Sequence, residues 1–360
     1  MMKSITLASY GKINLSLNVG NVMDNGYHPV DMIMCQTLLH DLVKIDVPER
    51  ENTLAWEEQS KRKYDGSEDM ECPEIEIIAN LPYIPIDENN ICHRAATEFF
   101  REVRHMSKLT NDRKHLPSKV TITLEKRVPV GAGLGGGSGN AAAVLHGLNA
   151  VLGIRFSMEK LLEIGSTLGA DVPFAVMNQA KSCKSVPSYL RQHPMASVCA
   201  RAGGIGTELT PLKIPPFKLI LVKPPFSVST AEVYKGIDSC EIPKRPDNDS
   251  LTGTLRALAE CGEERLWKAA YANMINVLEN YTIPAHPVLR KIKDRLKESA
   301  SVDFAMMSGS GPTIFAILSE ETKGREIYDL KRKFSVKGNM VYVTEVLDGR
   351  DLGIARRMKR

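Results

Sequence analysis

The chain carries no Cys-x-x-Cys pair: its seven cysteines, at 35, 72, 92, 183, 199, 240 and 261, are scattered and odd in number. That usage argues against a disulfide framework and suggests reduced thiols, packed mostly as small hydrophobes, in a cytoplasmic protein. No apolar run is long enough to span a bilayer. The first twenty residues lack a continuous apolar core and interrupt it with Lys12, so neither a membrane nor a secretory signal is expected. There is no internal repeat and no basic stripe interleaved with aromatics. The net charge of +4 is mild, which fits the handling of anionic small molecules and gives no reason to expect nucleic acid.

The 360 residues, 43% hydrophobic and 25% charged, are ordinary for one large or two medium soluble domains. The informative stretch is Pro129 to Gly139, PVGAGLGGGSG, with six glycines in the nine residues from Gly131. Before it, Val120 to Leu124 alternates like a half-buried strand. After it, Val144, Leu145, Leu148, Val151 and Leu152 share one face of a helix that Ser138 or Asn140 could cap and Gly153 could stop. Strand, glycine loop and helix N-terminus suit a polyanion, because glycines let backbone N–H groups approach and the helix end adds donors and partial positive charge. The loop is not a Walker A motif, since no Gly-Lys-Ser/Thr follows, and not a clean dinucleotide fingerprint. A flexible linker is the alternative.

Elsewhere, strands are predicted over Ile5–Val19, Met32–Val47, Ile75–Ile78, Phe217–Val222, Phe304–Met307, Thr313–Leu318 and Met340–Val346. Helices are predicted over Asn90–Met106, from a Ser157 cap to Leu168, from Ser229-Thr230 through Tyr234, and over Asn248–Cys261, Glu264–Leu278, Pro287–Glu298 and Glu321–Phe334. Glu49–Glu71 reads as a polar surface excursion, Lys181–Arg201 as a second irregular stretch, and the basic tail from Gly349 as frayed. The pattern is α+β with two domains, divided at 1–182 and 183–360.

Pro-x-x-x-Gly-Leu-Gly-Gly-Gly-Ser resembles the phosphate-binding motif of the GHMP kinases, which are small-molecule kinases. Two further segments support the likeness. Gly11-Lys12-Ile-Asn14-Leu15 resembles the family's first motif, with Gly11 where alanine is usual, and Met307-Ser-Gly309-Ser310-Gly-Pro-Thr313 resembles the third. Read alone, the last is an ordinary hairpin turn, and Lys12 a solvent-facing strand lysine. Asp171, in Gly169-Ala-Asp-Val-Pro-Phe174, reads alone as an Asx turn before a strand-like segment.

The resemblance implies a two-domain fold with the active site in the cleft between an ATP-binding side and a substrate side. It implies ATP and Mg²⁺ as cofactors, with the metal ligands left open. Asp171 would take the proton of the acceptor hydroxyl and Lys12 would be its electrostatic partner. Pro129, Gly131, Gly133, Leu134, Gly135, Gly136, Gly137, Ser138 and Gly139 would hold the triphosphate, with Asn90 toward adenine and Lys126 toward phosphate. Gly139 replaces a second small polar residue, so Ser138 alone would cap, bond phosphate or assist Mg²⁺. The Gly26-Tyr27-His28 segment is similar to that of the branch whose acceptor is a cytidylated alcohol. Asn14, Tyr27, His28 and Tyr234 would then grip cytidine, and Thr230, Gly309 and Ser310 the rest of the substrate. The implied reaction is phosphorylation of the 2-hydroxyl of 4-diphosphocytidyl-2-C-methyl-D-erythritol by a monomer or homodimer. The alternatives are a mevalonate- or homoserine-type kinase and a non-catalytic nucleotide-binding relative.

Overall fold

The structure is a computed structural model that describes residues 2–24, 26–48, 72–110 and 116–346. The excursion expected within 49–71, the basic tail and Asn25 of the Asp24–Gly26 turn lie outside the described residues.

Two sheets organise the chain. The first runs in the order β3 (Glu74–Ala79), β4 (Lys119–Glu125), β2 (Val30–Pro48), β5 (Cys199–Gly203) and β6 (Glu208–Pro211), with β1 (Met2–Val19) paired to β2. The second, wholly antiparallel, runs β10 (Met340–Val346), β7 (Phe217–Lys223), β9 (Ile314–Leu318) and β8 (Val302–Met307). The first sheet continues to Pro211, so residues on both sides of the 182/183 division contribute to it.

Helices α1 (Ile91–Thr110), α2 (Gly136–Val151), α3 (Met158–Leu168) and α4 (Val172–Ser182) bury their apolar residues against the first sheet in one core with Leu7, Ile45 and Ile122. The middle of α2 is buried on every side from Gly139 to Asn149, as an Ala- and Leu-rich segment without charge allows. A short α5 (Ser188–Arg191) closes this half. The second sheet packs with α6 (Thr230–Ile237), α9 (Glu279–Ala285), α10 (Pro287–Lys297) and α11 (Gly324–Phe334). A third core joins the halves: Ile13 and Leu15 of β1 meet Leu219, Leu221 and Phe315 of the second sheet, with α7 (Asn248–Cys261) and α8 (Arg265–Asn273) beside them.

Several expectations need correction. The segment after Asp171 is the start of α4, because a proline in the first helical turn has its φ already set and lacks only an N–H that would go unpaired there. The stretch from 181 to 201 is not uniformly irregular; it holds the end of α4, all of α5 and the start of β5. The helix expected over Glu264–Leu278 stops at Asn273, and residues 275–277 instead pair with β1: Leu17 N–H donates to Ile275 O at 2.8 Å and Val277 N–H to Leu17 O at 2.9 Å. Helix α9 follows and has no counterpart in the sequence reading.

Candidate active site

Lys12 is set by the backbone of β1. Its N–H donates to Leu134 O of the glycine loop at 2.8 Å, at a point where the β1–β2 register slips between Tyr10 and Lys12. Far from facing solvent, the side chain is 8% exposed, and its Nζ lies 2.8 Å from Asn14 Oδ1 and 3.3 Å from Asp171 Oδ2. The departure at Gly11 is small in space as well, since a methyl there would meet its neighbours at 3.4 Å, an ordinary contact. Asp171 is the N-cap residue of α4, but its carboxylate makes no capping bond; it is 31% exposed and turned to Lys12. The positive end of the helix and the Lys12 ammonium both lie beside this side chain.

The glycine loop leads into α2 without a side-chain cap. Gly135, at φ 64°, is the N-cap residue, and neither Ser138 nor Asn140 caps. An L side chain resists that left-handed backbone, and a Cβ on Gly135 would sit 2.8 Å from Lys12 Cγ. Among the described residues the first-turn N–H groups thus have no capping side chain, and free donors at a helix end are what an anion requires. Gly133, at φ 72°, is held tighter still: a Cβ would lie 2.3 Å from Ser308 O and 2.9 Å from Gly311 O. Ser308 Oγ donates to Gly133 O at 2.9 Å, so the loop before β9 is fastened to the glycine loop.

That second loop is braced by a residue the sequence reading missed. Asn276 Nδ2 donates to Met307 O at 2.9 Å and to Gly309 O at 2.7 Å, while its Oδ1 accepts from Leu278 N–H at 3.0 Å. Thr230 Oγ1 lies 3.0 Å from Ser310 Oγ, tying α6 to the same loop. Beyond it, His28 and Tyr234 meet at a ring separation of 5.8 Å. His28 Nδ1 is 2.9 Å from Gly20 O, which makes Nδ1–H the donor, and Nε2 lies 3.6 Å from Asp238 Oδ2. Burial, and then the charge of Asp171, push the Tyr234 phenol well above its ordinary value, so it stays protonated. Tyr27 is 61% exposed at the rim.

These groups line one cleft of about 1180 Å³, large enough for two sizeable ligands. Its wall includes Lys12, Tyr27, His28, Asn90, Lys126, Pro129, Gly131, Gly133 to Ser138, Asp171, Thr230, Tyr234, Gly309 and Ser310. Asn14 and Gly139 are not on that wall. Asn14 is fully buried behind it, accepting from Lys12 and directing Nδ2 to Met32 Sδ at 3.3 Å. Gly139 packs against β1, where a Cβ would meet Ser9 Oγ at 2.8 Å and Tyr10 O at 2.9 Å. Asn90 is committed as well, its Oδ1 accepting from Cys92 N–H at 2.9 Å and its Nδ2 donating to Pro85 O at 2.6 Å. Lys126 Nζ pairs with the buried Asp41, a second residue passed over in sequence. A charged residue in an apolar strand (Leu38-Leu39-His40-Asp41-Leu42-Val43) was the available signal.

Comparison with known proteins agrees with this geometry. The family model described as GHMP kinases N terminal domain matches residues 90–179, and that described as GHMP kinases C terminal matches residues 255–335. The 4-diphosphocytidyl-2-C-methyl-D-erythritol kinase of Alkaliphilus metalliredigens (strain QYMF) is 36% identical over 329 residues, covering 91% of this chain and 92% of the relative.

This chain belongs to the GHMP kinase family.

The kinase of the same description from Clostridioides difficile (strain 630) is 35% identical, covering 89% of this chain and 88% of its own. Among solved structures, that of a 4-(cytidine 5'-diphospho)-2C-methyl-D-erythritol kinase superposes with a TM-score of 0.62 at 23% identity, covering 95% of this chain and 99% of the other, which supports the fold. The three segments singled out as GHMP-like, on β1, before α2 and before β9, are remote in sequence and touch one another through Lys12–Leu134 and Gly133–Ser308.

Proposed function

We propose that this GHMP kinase transfers the γ-phosphoryl group of ATP to the 2-hydroxyl of 4-diphosphocytidyl-2-C-methyl-D-erythritol. The observation that carries the reading is the Lys12–Asp171 pair, 3.3 Å apart, in a cleft whose wall holds both an uncapped glycine loop and the Tyr27, His28 and Tyr234 rings. The curated relatives, which match over about nine-tenths of the chain, carry the name of that kinase.

The triphosphate lies against the loop from Gly131 to Gly137, where backbone N–H groups and the α2 terminus face negative charge. The cytosine ring lies between Tyr27 and Tyr234, with His28 on its polar edge. Holding the nucleotide end of the acceptor fixes its hydroxyl for in-line attack, so binding energy far from the reaction lowers the barrier. Asp171 accepts the hydroxyl proton as the oxygen bonds to the γ-phosphorus, and the bond to the bridging oxygen breaks to release ADP. Lys12, fixed by Asn14, keeps positive charge beside Asp171 and the transferring group.

The described residues contain no cluster of three or more acidic, histidine or cysteine groups able to cage a metal. The Ser138 hydroxyl and the Asp171 carboxylate, both on the cleft wall, are oxygen donors of the kind Mg²⁺ takes and would be the protein groups to hold it. When bound, the ion neutralises charge on the phosphates.

The test is ADP release from Mg-ATP with 4-diphosphocytidyl-methylerythritol, methylerythritol phosphate, mevalonate, homoserine, galactose or no acceptor. Turnover confined to the cytidylated alcohol, and reduced about 10²- to 10⁴-fold in Asp171→Asn, is the expected outcome. Turnover with another alcohol refutes the substrate assignment, and ATP binding without turnover refutes the enzyme reading.

A further inference from the structure

Behind the cleft, one carboxylate gathers the chain on both sides of the glycine loop. Asp41 lies on β2 opposite Ser9, with its side chain wholly buried. Its Oδ1 accepts from the N–H groups of Arg127 at 2.6 Å and Val128 at 2.7 Å, the residues that run into Pro129. Its Oδ2 accepts from Lys126 Nζ and, at 2.9 Å, from Asn140 Nδ2 in the second turn of α2. Asn140 closes the circuit, its Oδ1 accepting from Lys126 Nζ at 2.6 Å and its Nδ2 donating also to Ser9 Oγ at 2.8 Å.

Lys126 is only 5% exposed, yet it is on the cleft wall, and its Nζ lies 3.5 Å from where a Cβ on Gly136 would stand. Two of its three N–H hydrogens go to Asp41 and Asn140, which leaves one for a ligand at the α2 terminus. A lysine held this way has lost the rotamer freedom of a long side chain before any ligand arrives, and its charge is already balanced. It therefore supplies direction rather than raw attraction.

We propose that Asp41 is a positioning residue for phosphoryl transfer, acting through Lys126 to aim one ammonium hydrogen at the phosphates. The inference rests on the cleft being the ATP site. Asp41 does not line the cleft.

Asp41→Asn isolates the effect. The amide oxygen can still accept from Arg127 and Val128, while an NH₂ replaces the anionic oxygen facing Lys126. We expect kcat to fall about 100-fold, the loss typical of an ångström-scale misplacement, with the ATP dissociation constant changed by less than about threefold. In the Lys126→Met background the same substitution should change kcat by less than about threefold, because its route is already gone. The phosphorus NMR shifts of bound ATP in Asp41→Asn should move toward those of Lys126→Met, a readout that needs no turnover and so stands apart from the acceptor assignment. A folded Asp41→Asn protein with near wild-type kcat, or with unmoved phosphorus shifts, overturns the proposal. So does a loss of equal size in both backgrounds. If Asp41→Asn alone does not fold, its buried lysine being left unpaired, Asp41→Asn/Lys126→Met compared with Lys126→Met decides. Equal kcat and equal shifts support the proposal, and a further loss overturns it.

Discussion

Gly133→Ala should damage this protein more than any other alanine in the glycine loop. The backbone there is left-handed at φ 72°, which costs an L residue about 1–2 kcal/mol. The added methyl would also stand 2.3 Å from Ser308 O, 2.9 Å from Gly311 O and 3.2 Å from Gly311 N, all backbone atoms that no rotamer change can remove. The two loops must part, which breaks the 2.9 Å bond from Ser308 Oγ to Gly133 O and adds roughly 1–3 kcal/mol of overpacking strain. Because those loops form the cleft, kcat/KM for ATP should fall about 100-fold or more along with the loss of stability. Gly137→Ala is the internal control. It has an ordinary helical backbone and its nearest neighbour, Ile91 Cγ2, is 3.8 Å away, so it should stabilise by about 0.5–1 kcal/mol. Urea unfolding gives the stabilities, and coupled ADP release gives the rates. The reasoning fails if the two variants are equally stable, or if Gly133→Ala keeps its kcat/KM within twofold.

Three further outcomes are expected. His146 is buried in α2, with Nε2 2.9 Å from Val176 O and no partner for Nδ1 among the described residues, and burial pushes its imidazole down to about 4. A folded value below the ordinary one means that the unfolded chain binds the proton first. Stability should therefore be fully present above about pH 6.5 and drain away toward pH 4, by a contribution on the order of 3 kcal/mol. His146→Gln should flatten that part of a denaturation-versus-pH curve, and an unchanged slope would assign it to other groups. Asn276→Ala leaves Met307 O and Gly309 O without their donor, and should cost about 1–3 kcal/mol in urea unfolding while raising KM for the acceptor. Tyr234→Ala should raise KM for the cytidylated acceptor about tenfold or more, from the loss of one stacking ring, with KM for ATP unchanged in the same ADP-release assay.

Much of the fold and of the site was legible because its signals are local. The helix over Asn248–Cys261 is bounded by an Asp247 side chain that accepts from Ser250 N–H and by Gly262 at φ 66°, both written into adjacent residues. Ser229 caps α6 in the same way. The glycine loop declared itself through composition, and Lys12, Asp171 and Tyr234 through short motifs, so each could be singled out without knowing what lay near it.

What escaped depended on distance. The helix expected over Glu264–Leu278 has acceptable periodicity throughout, but residues 275–277 form backbone bonds to Leu17 that outweigh local preference. Asn140 looks like a cap from its position, yet its amide goes to Lys126, Asp41 and Ser9, and Gly135 in a left-handed backbone begins the helix instead. Asn14 reads as a ligand-facing residue of the first motif and is buried behind it, holding Lys12.

The sequence by itself therefore determined the elements with their own caps and the residue types that can bind phosphate and move a proton. Only the tertiary structure decided which of those residues share a wall. It alone separated Gly133, jammed between backbone carbonyls, from Gly137 with one side chain at ordinary contact, and made Asp41 and Asn276 the braces of loops far from them in the chain. The physical reason is that caps and turns are settled within a few residues, whereas buried charges and close backbone contacts are settled by whatever the fold brings against them.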